Sequence, residues 1–184
     1  MRSLVLLSGG IDSAACLAFY KDLGHSIEAV FVDYGQSPSI AERTCAEAIS
    51  AYYSTPLRIV TCRSGPVAMK GEIAGRNGFL VLTAMLFNPK HSGQIVLGIH
   101  RGTHYYDCQD GFIGDMSRIL DGYSDGSVKL AAPFLSWTKD MIWSYCLEHN
   151  VPLDLTWSCE VGPTVACGAC LSCRDLETLR VRSH

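Results

Sequence analysis

Short apolar runs closed by glycine alternate with helix-patterned stretches along most of this chain, which restricts it to a layered α/β fold. Residues 3–7 form an apolar run stopped by Gly9 and Gly10, as suits a parallel strand buried on both faces. Residues 12–23 read as a helix, with Ala15, Leu17, Ala18 and Phe19 apolar and Gly24 as the stop. A second strand over 27–32 closes on Asp33-Tyr34-Gly35. A helix over 39–52 and a strand over 57–62 follow. Residues 79–87 are apolar and helix-compatible, 95–99 form a fourth strand, 116–120 are helical and 128–131 a further strand. The spacing predicts a last helix over 138–149, ending at Asn150 with Pro152 just beyond.

Strands alternating with helices predict a doubly wound parallel sheet, with ligands at the carboxyl ends of its strands. The sequence contains no repeat and no low-complexity segment. Its composition shifts once, after Pro152, where cysteines become dense. The expected division is an α/β domain over 1–152 and a cysteine-rich segment over 153–184, packed on the same domain.

The 184 residues suffice for one domain with a real core. A 48% apolar and 18% charged composition excludes a disordered chain. A net charge of −3 leaves no basic footprint, so no nucleic-acid partner is expected. No apolar run approaches the roughly 18 residues that span a bilayer, and the run before Ser8 is too short for a signal peptide. Nine cysteines, an odd number, then indicate a reducing cytoplasm and metal binding in place of disulfides.

Ser8-Gly9-Gly10-Ile11-Asp12-Ser13 leaves a strand and opens a helix. Glycines let the backbone turn tightly and approach an anion. Successive N–H groups with a helix N-terminus make an anion nest, to which Ser8 and Ser13 add hydroxyls. No lysine follows in the place a Walker A loop requires. The competing reading is a tight strand–helix turn with Asp12 as a cap.

Cys159, Cys167, Cys170 and Cys173 are spaced C-x7-C-x2-C-x2-C. Four thiolates so close in sequence can close a tetrahedral site, and structural zinc is the leading reading. An iron–sulfur cluster and unligated buried thiols compete with it. A ferredoxin-type run would place proline after its last cysteine, where Arg174 stands. Cys16, Cys45, Cys62, Cys108 and Cys146 are scattered and read as small hydrophobes.

The Ser8–Ser13 string resembles the pyrophosphate loop of the PP-loop ATP pyrophosphatases, the adenine nucleotide alpha-hydrolase-like group. That resemblance implies ATP cleaved between its α and β phosphates, AMP transferred to a carboxylate, and Mg2+ on the phosphates. Phe31-Val32-Asp33-Tyr34-Gly35-Gln36, Gly75-Arg76-Asn77, Gly98-Ile99-His100, Tyr106-Asp107-Cys108 and Pro133 through Lys139 extend the likeness, as do Thr156-Trp157-Ser158-Cys159 and the three later cysteines. Together they resemble the QueC family of 7-cyano-7-deazaguanine synthases over nearly the whole chain. The family implies an ATP-dependent C–N ligase, commonly a homodimer. Such enzymes turn a 7-carboxy-7-deazaguanine with ammonia into an amide, then into the nitrile preQ0 of queuosine biosynthesis.

By that resemblance Ser8, Gly9, Gly10, Asp12 and Ser13 hold pyrophosphate and its metal, and Asp33 joins the nucleotide-binding set. Lys139 pairs with phosphates, against the plainer reading of a solvated helix-start lysine. Arg76 and Asn77 hold phosphate or substrate, against ordinary capping. Asp107 accepts N–H bonds from the guanidine-like edge of the deazapurine, against a loop turn. Tyr34 and Tyr106 stack on a base or sit in the rim. His100 and His104 lie in the right loop without an assigned role.

Departures from the family pattern fall on the substrate side. Ser37 through Glu42 replaces a charged R-H-x-x-E stretch, no proline precedes Asp107, Gln109 stands for arginine and Ile73 for proline. About a dozen residues separate the third strand from Gly75, fewer than in typical members, which implies a shortened lid. Two alternatives therefore accompany preQ0 synthesis. One is a QueC-like paralogue of antiviral defence that hands the acyl group to another amine, such as a protein. The other is an inactive zinc-bearing PP-loop module.

Overall fold

The computed structural model describes residues 1–62, 73–88, 92–102 and 104–182. The shortened lid expected from the sequence falls within 63–72 and lies outside the described residues. Five strands, β1 (Arg2–Leu6), β2 (Ser26–Asp33), β3 (Leu57–Thr61), β4 (Gly93–Val96) and β5 (Val128–Ala131), form one sheet in the order β3-β2-β1-β4-β5. All its neighbouring strands run parallel. The chain builds outward from β1 through β2 to β3, then returns to β1's other edge for β4 and β5. The crevice of such a sheet opens where the order reverses, at the carboxyl ends of β1 and β4.

Among the described residues six α-helices cover the two faces: α1 (Ile11–Asp22), α2 (Ser39–Tyr52), α3 (Arg76–Leu86), α4 (Asp110–Ser124), α5 (Lys139–Glu148) and α6 (Leu171–Arg182). Side chains alternate across a strand, so Val5, Leu7, Ala29 and Phe31 pack with residues of α1, α2, α5 and α6. Leu4, Leu6, Val30 and Val32 pack with residues of α3 and α4 on the other face. Burial on both faces explains why β1 and the end of β2 read as unbroken apolar runs.

Small residues let α1 approach the sheet: Ala14, Ala15 and Cys16 are fully buried. Thr138 caps α5 by accepting the Met141 N–H at 3.3 Å. Three elements differ from expectation. β4 stops at Val96, because the chain turns after Leu97 N–H bonds the Ala131 carbonyl at 2.9 Å. α4 runs far beyond 116–120, holding Phe112 and Met116 in the core through a sequence interrupted by Gly111 and Gly114. α6 begins just after Cys170 and carries Cys173, in a segment where charge hides the two apolar residues, Leu176 and Leu179, that pack against the core. Among the described residues no helix is long and apolar enough to cross a membrane.

Candidate active site and metal centre

The loop from Ser8 to Ser13 lies at the switch point. Gly9 has φ +82°, and a Cβ there would stand 2.4 Å from the Glu42 carbonyl oxygen, so only glycine fits. Gly10 is different: a Cβ would meet Ser8 Oγ and the Trp157 carbonyl at 3.5 Å, ordinary contact. Ser13 Oγ donates to the Gly10 carbonyl at 2.9 Å and Ser8 Oγ to Ser13 Oγ at 3.2 Å. The two hydroxyls thus brace the turn. The first-turn N–H groups of α1 have no intrahelical partners and open toward the crevice. Across the crevice, Gly98 lets the chain after β4 pass against the loop, since a Cβ would come within 3.0 Å of the Asp12 carbonyl carbon.

Asp12 gathers the charges. Lys139 Nζ donates to its Oδ1 at 2.6 Å, and His100 Nε2 lies 3.9 Å from its Oδ2. His100 Nδ1 lies 2.7 Å from the Arg101 carbonyl, which only accepts, so Nδ1 carries the proton. Nε2 is left facing the carboxylate. A cation delivered by the β5–α5 connection and an imidazole from beyond β4 therefore meet at the loop.

The other wall starts where β2 ends. Asp33 Oδ1 accepts the Gly35 N–H at 3.0 Å, which pins the turn. Gln36 is buried; its Oε1 accepts the Tyr34 N–H, and its Nε2 donates to the Val32 carbonyl and to Glu42 Oε2 at 2.8 Å. Burial raises the Glu42 carboxyl above its ordinary range, against the pull of Gln36 and Arg76. Burial likewise raises the Tyr34 hydroxyl above its ordinary range, against the pull of the Arg76 guanidinium at the start of α3. Asn77 is only 2% exposed. Its backbone N–H bonds Asp107 Oδ2 at 3.1 Å and its Nδ2 the Asp107 carbonyl at 2.9 Å. Asp107, expected as a reader of substrate N–H groups, thus has one oxygen on the opening turn of α3, and Cys108 Sγ lies 3.7 Å from the other.

The C-terminal segment closes over the loop from outside. Trp157 N–H donates to the Gly9 carbonyl at 2.9 Å. Ser37 Oγ bonds the Val161 carbonyl at 2.7 Å, and Ala41 N–H the Pro163 carbonyl at 3.1 Å. Immediately beyond, the sulfurs of Cys159, Cys167, Cys170 and Cys173 all lie within 4.8 Å of one another, a group that can hold a metal ion. Gly162 and Cys167 N–H groups reach Cys159 Sγ at 3.2 and 3.3 Å; Ala169 and Cys170 N–H groups reach Cys167 Sγ at 3.5 and 3.3 Å. Burial raises the Cys159 thiol, but these donors outweigh it and bring it down to about 6. Such donations favour the thiolate a metal requires.

Comparison with known proteins places this architecture. The profile described as "Queuosine biosynthesis protein QueC" matches residues 2–66 and 66–178. The chain belongs to the QueC family. It is 30% identical over 200 residues to the 7-cyano-7-deazaguanine synthase of Sulfurimonas denitrificans, covering 94% of this chain and 89% of that one. The corresponding enzyme of Methanospirillum hungatei is 31% identical over 209 residues, covering 98% of this chain and 95% of its own. Among solved structures, NMN synthetase from Francisella tularensis superposes with TM-score 0.59 and 11% identity, over all of this chain and 84% of that one. The U34-tRNA thiolase NcsA from Methanococcus maripaludis, solved with its 4Fe–4S cluster, gives 0.57 and 14%, over all of this chain and 65% of that one. At such identities these two establish the fold alone.

Within this QueC-family fold the residues singled out from sequence gather at two places. Ser8, Gly9, Gly10, Asp12, Ser13 and Lys139 stand together at the switch point, and the four cysteines form a group that can hold a metal ion. Arg76, Asn77 and Asp107 form a connected group beside the end of β2. Three residues were missed or left without a role. Trp157 sat inside a motif but gave no sign that its backbone would reach Gly9, and His100 was a loop histidine without a partner. Glu42 stood only inside a stretch read as a departure from the family pattern, because Gly9 and Arg76, which give it meaning, lie far from it along the chain.

Proposed function

We propose that this protein uses ATP to activate the carboxylate of a 7-carboxy-7-deazaguanine-type acid and passes the acyl group to ammonia. The carboxylate attacks the α-phosphorus of ATP and pyrophosphate leaves. Ammonia then displaces AMP to give the amide. A second ATP adenylylates the amide oxygen, which departs with AMP to leave the nitrile. The observation that carries this reading is the meeting of Lys139 and Asp12 on a glycine-turned helix N-terminus at the switch point of a QueC-family sheet. Negative charge grows on the departing pyrophosphate. The N–H groups of the Ser8–Ser13 turn, with Lys139 as a point charge, are set where that growth is stabilised.

Mg2+ supplies charge neutralisation on the phosphates when bound, and Asp12 is the carboxylate at hand for it. Asp33 and the Gly35 turn line the nucleotide side. Arg76 faces the acid, with Asn77 and Asp107 holding the start of α3 in place. For the cysteines we favour Zn2+, because four sulfurs this close suit one ion better than a wider iron–sulfur cube. Four protein ligands leave no open position, so the ion would be structural, closing residues 159–173 on themselves and holding in shape the segment that Trp157, Val161 and Pro163 dock on the domain. Outward-facing Phe79, Leu82 and Leu86 on α3, with Ile119 and Tyr123 on α4, support a cytoplasmic homodimer.

A second reading has its own observation. The alignments with relatives run longer than this 184-residue chain, and the family match divides at residue 66. Loss of residues between β3 and α3 is compatible with a bulkier amine acceptor, such as a protein in antiviral defence. Incubation with ATP, Mg2+, 7-carboxy-7-deazaguanine and ammonia, read by mass spectrometry, tests both. Amide and nitrile are expected, with one oxygen of an 18O-labelled carboxylate appearing in the AMP released at the amide step and the other in the AMP released at the nitrile step. AMP release with neither product would favour the protein acceptor; no AMP with this acid under any condition would defeat the proposal.

A further inference from the structure

Glu42 stands in the crevice with half of its carboxylate engaged. Its backbone carbonyl packs against Gly9, which fixes the residue beside the phosphate loop. Gln36 holds Oε2 at 2.8 Å and is itself locked by Val32 and Tyr34, so the carboxylate is oriented from behind. Oε1 has no hydrogen-bond partner among the described residues. Arg76 is near enough to favour the ionised form of Glu42, yet among the described residues no ion pair joins the two. A half-buried carboxylate and a guanidinium held apart are together ready for a ligand edge that presents N–H donors next to a carbonyl acceptor.

We infer that Glu42 is a specificity-determining residue that reads the lactam and 2-amino N–H groups of the deazapurine, while Arg76 donates to the adjacent ring carbonyl. This rests on the deazaguanine reading above and deepens it. The geometry prefers Glu42 to Asp107 for the role, since Asp107 already serves Asn77 and neighbours Cys108. An adenine edge offers one amino group and no lactam N–H, so it satisfies the pair only in part.

Isothermal titration with the intact protein tests the assignment. The probes are 7-carboxy-7-deazaguanine, its analogue lacking the 2-amino group, and Mg2+-ATP. Wild type should bind the analogue roughly 10- to 100-fold more weakly than the parent acid, the usual cost of removing a hydrogen bond to a charged group. Glu42→Gln should bind the parent acid that weakly too and no longer distinguish the two, while its ATP affinity stays within about 2-fold. The wild-type comparison needs no variant, so it decides the matter even where Glu42→Gln proves unstable. Equal binding of acid and analogue by wild type would overturn the inference, as would a Glu42→Gln protein that still discriminates. Loss of ATP binding with intact acid binding would move Glu42 to the nucleotide and overturn it as well. Failure of wild type to bind the parent acid would remove the substrate reading itself, a result distinct from all of these.

Discussion

Replacing each of the two loop glycines with alanine should separate a residue needed for folding from one needed for the anion. Gly9→Ala places a Cβ 2.4 Å from the Glu42 carbonyl oxygen and forces alanine to φ +82°. The left-handed conformation alone costs about 1–2 kcal/mol. The clash is with backbone in the first turn of α2, which has no soft way to yield, and adds about as much again. A total of about 2–4 kcal/mol corresponds to a fall of roughly 5–15 °C in melting temperature for a chain of this size. Gly10→Ala meets nothing closer than 3.5 Å and has φ −83°, so its melting temperature should stay within about 2 °C of wild type. Its methyl group nevertheless stands beside the turn proposed to hold pyrophosphate. AMP formation should drop by roughly 100-fold or more while the fold is kept. Thermal unfolding by circular dichroism and AMP release from the same preparations provide both readouts. A Gly9→Ala protein that melts with wild type would refute the packing argument, and a fully active Gly10→Ala protein would refute the anion nest.

Lys139→Met should reduce AMP formation by roughly 100-fold, with Lys139→Arg recovering part, because a point charge on the phosphates is lost. The same change should alter stability by no more than about 1 kcal/mol in urea unfolding, since the Lys139–Asp12 pair is partly solvated. Asn77→Ala strips a donor from the buried Asp107 carbonyl and should destabilise the protein by about 1–3 kcal/mol, read by denaturant titration. Metal removal by a chelator, or Cys159→Ser, should lower both melting temperature and ATP affinity, because the thiolate centre begins two residues after Trp157. Melting that falls with ATP affinity intact would uncouple the centre from the loop.

The strands were legible because burial on both faces leaves runs such as 3–7 and 27–32 with little else to be. The phosphate loop and the cysteine set were legible for a related reason: each is nearly contiguous, and its chemistry shows in residue type and spacing. α6 was not, because among the described residues its apolar docking rests on Leu176 and Leu179 in a charged segment. α4 was recognised only in part, since tertiary packing of Phe112 and Met116 overrides the low helix propensity of Gly111 and Gly114. Glu42, Gln36 and Arg76 are ordinary one at a time; the parallel crossover brings α3 back beside the end of β2, and only then does a recognition surface exist.

One hydrogen bond gives this architecture a temporal order. The turn that begins at the eighth residue is braced by the amide of Trp157, near the opposite terminus. The turn therefore gains this brace only after the chain has been made as far as residue 157. Copies cut short of that residue would leave the turn proposed to hold pyrophosphate to the bracing of Ser8 and Ser13 alone.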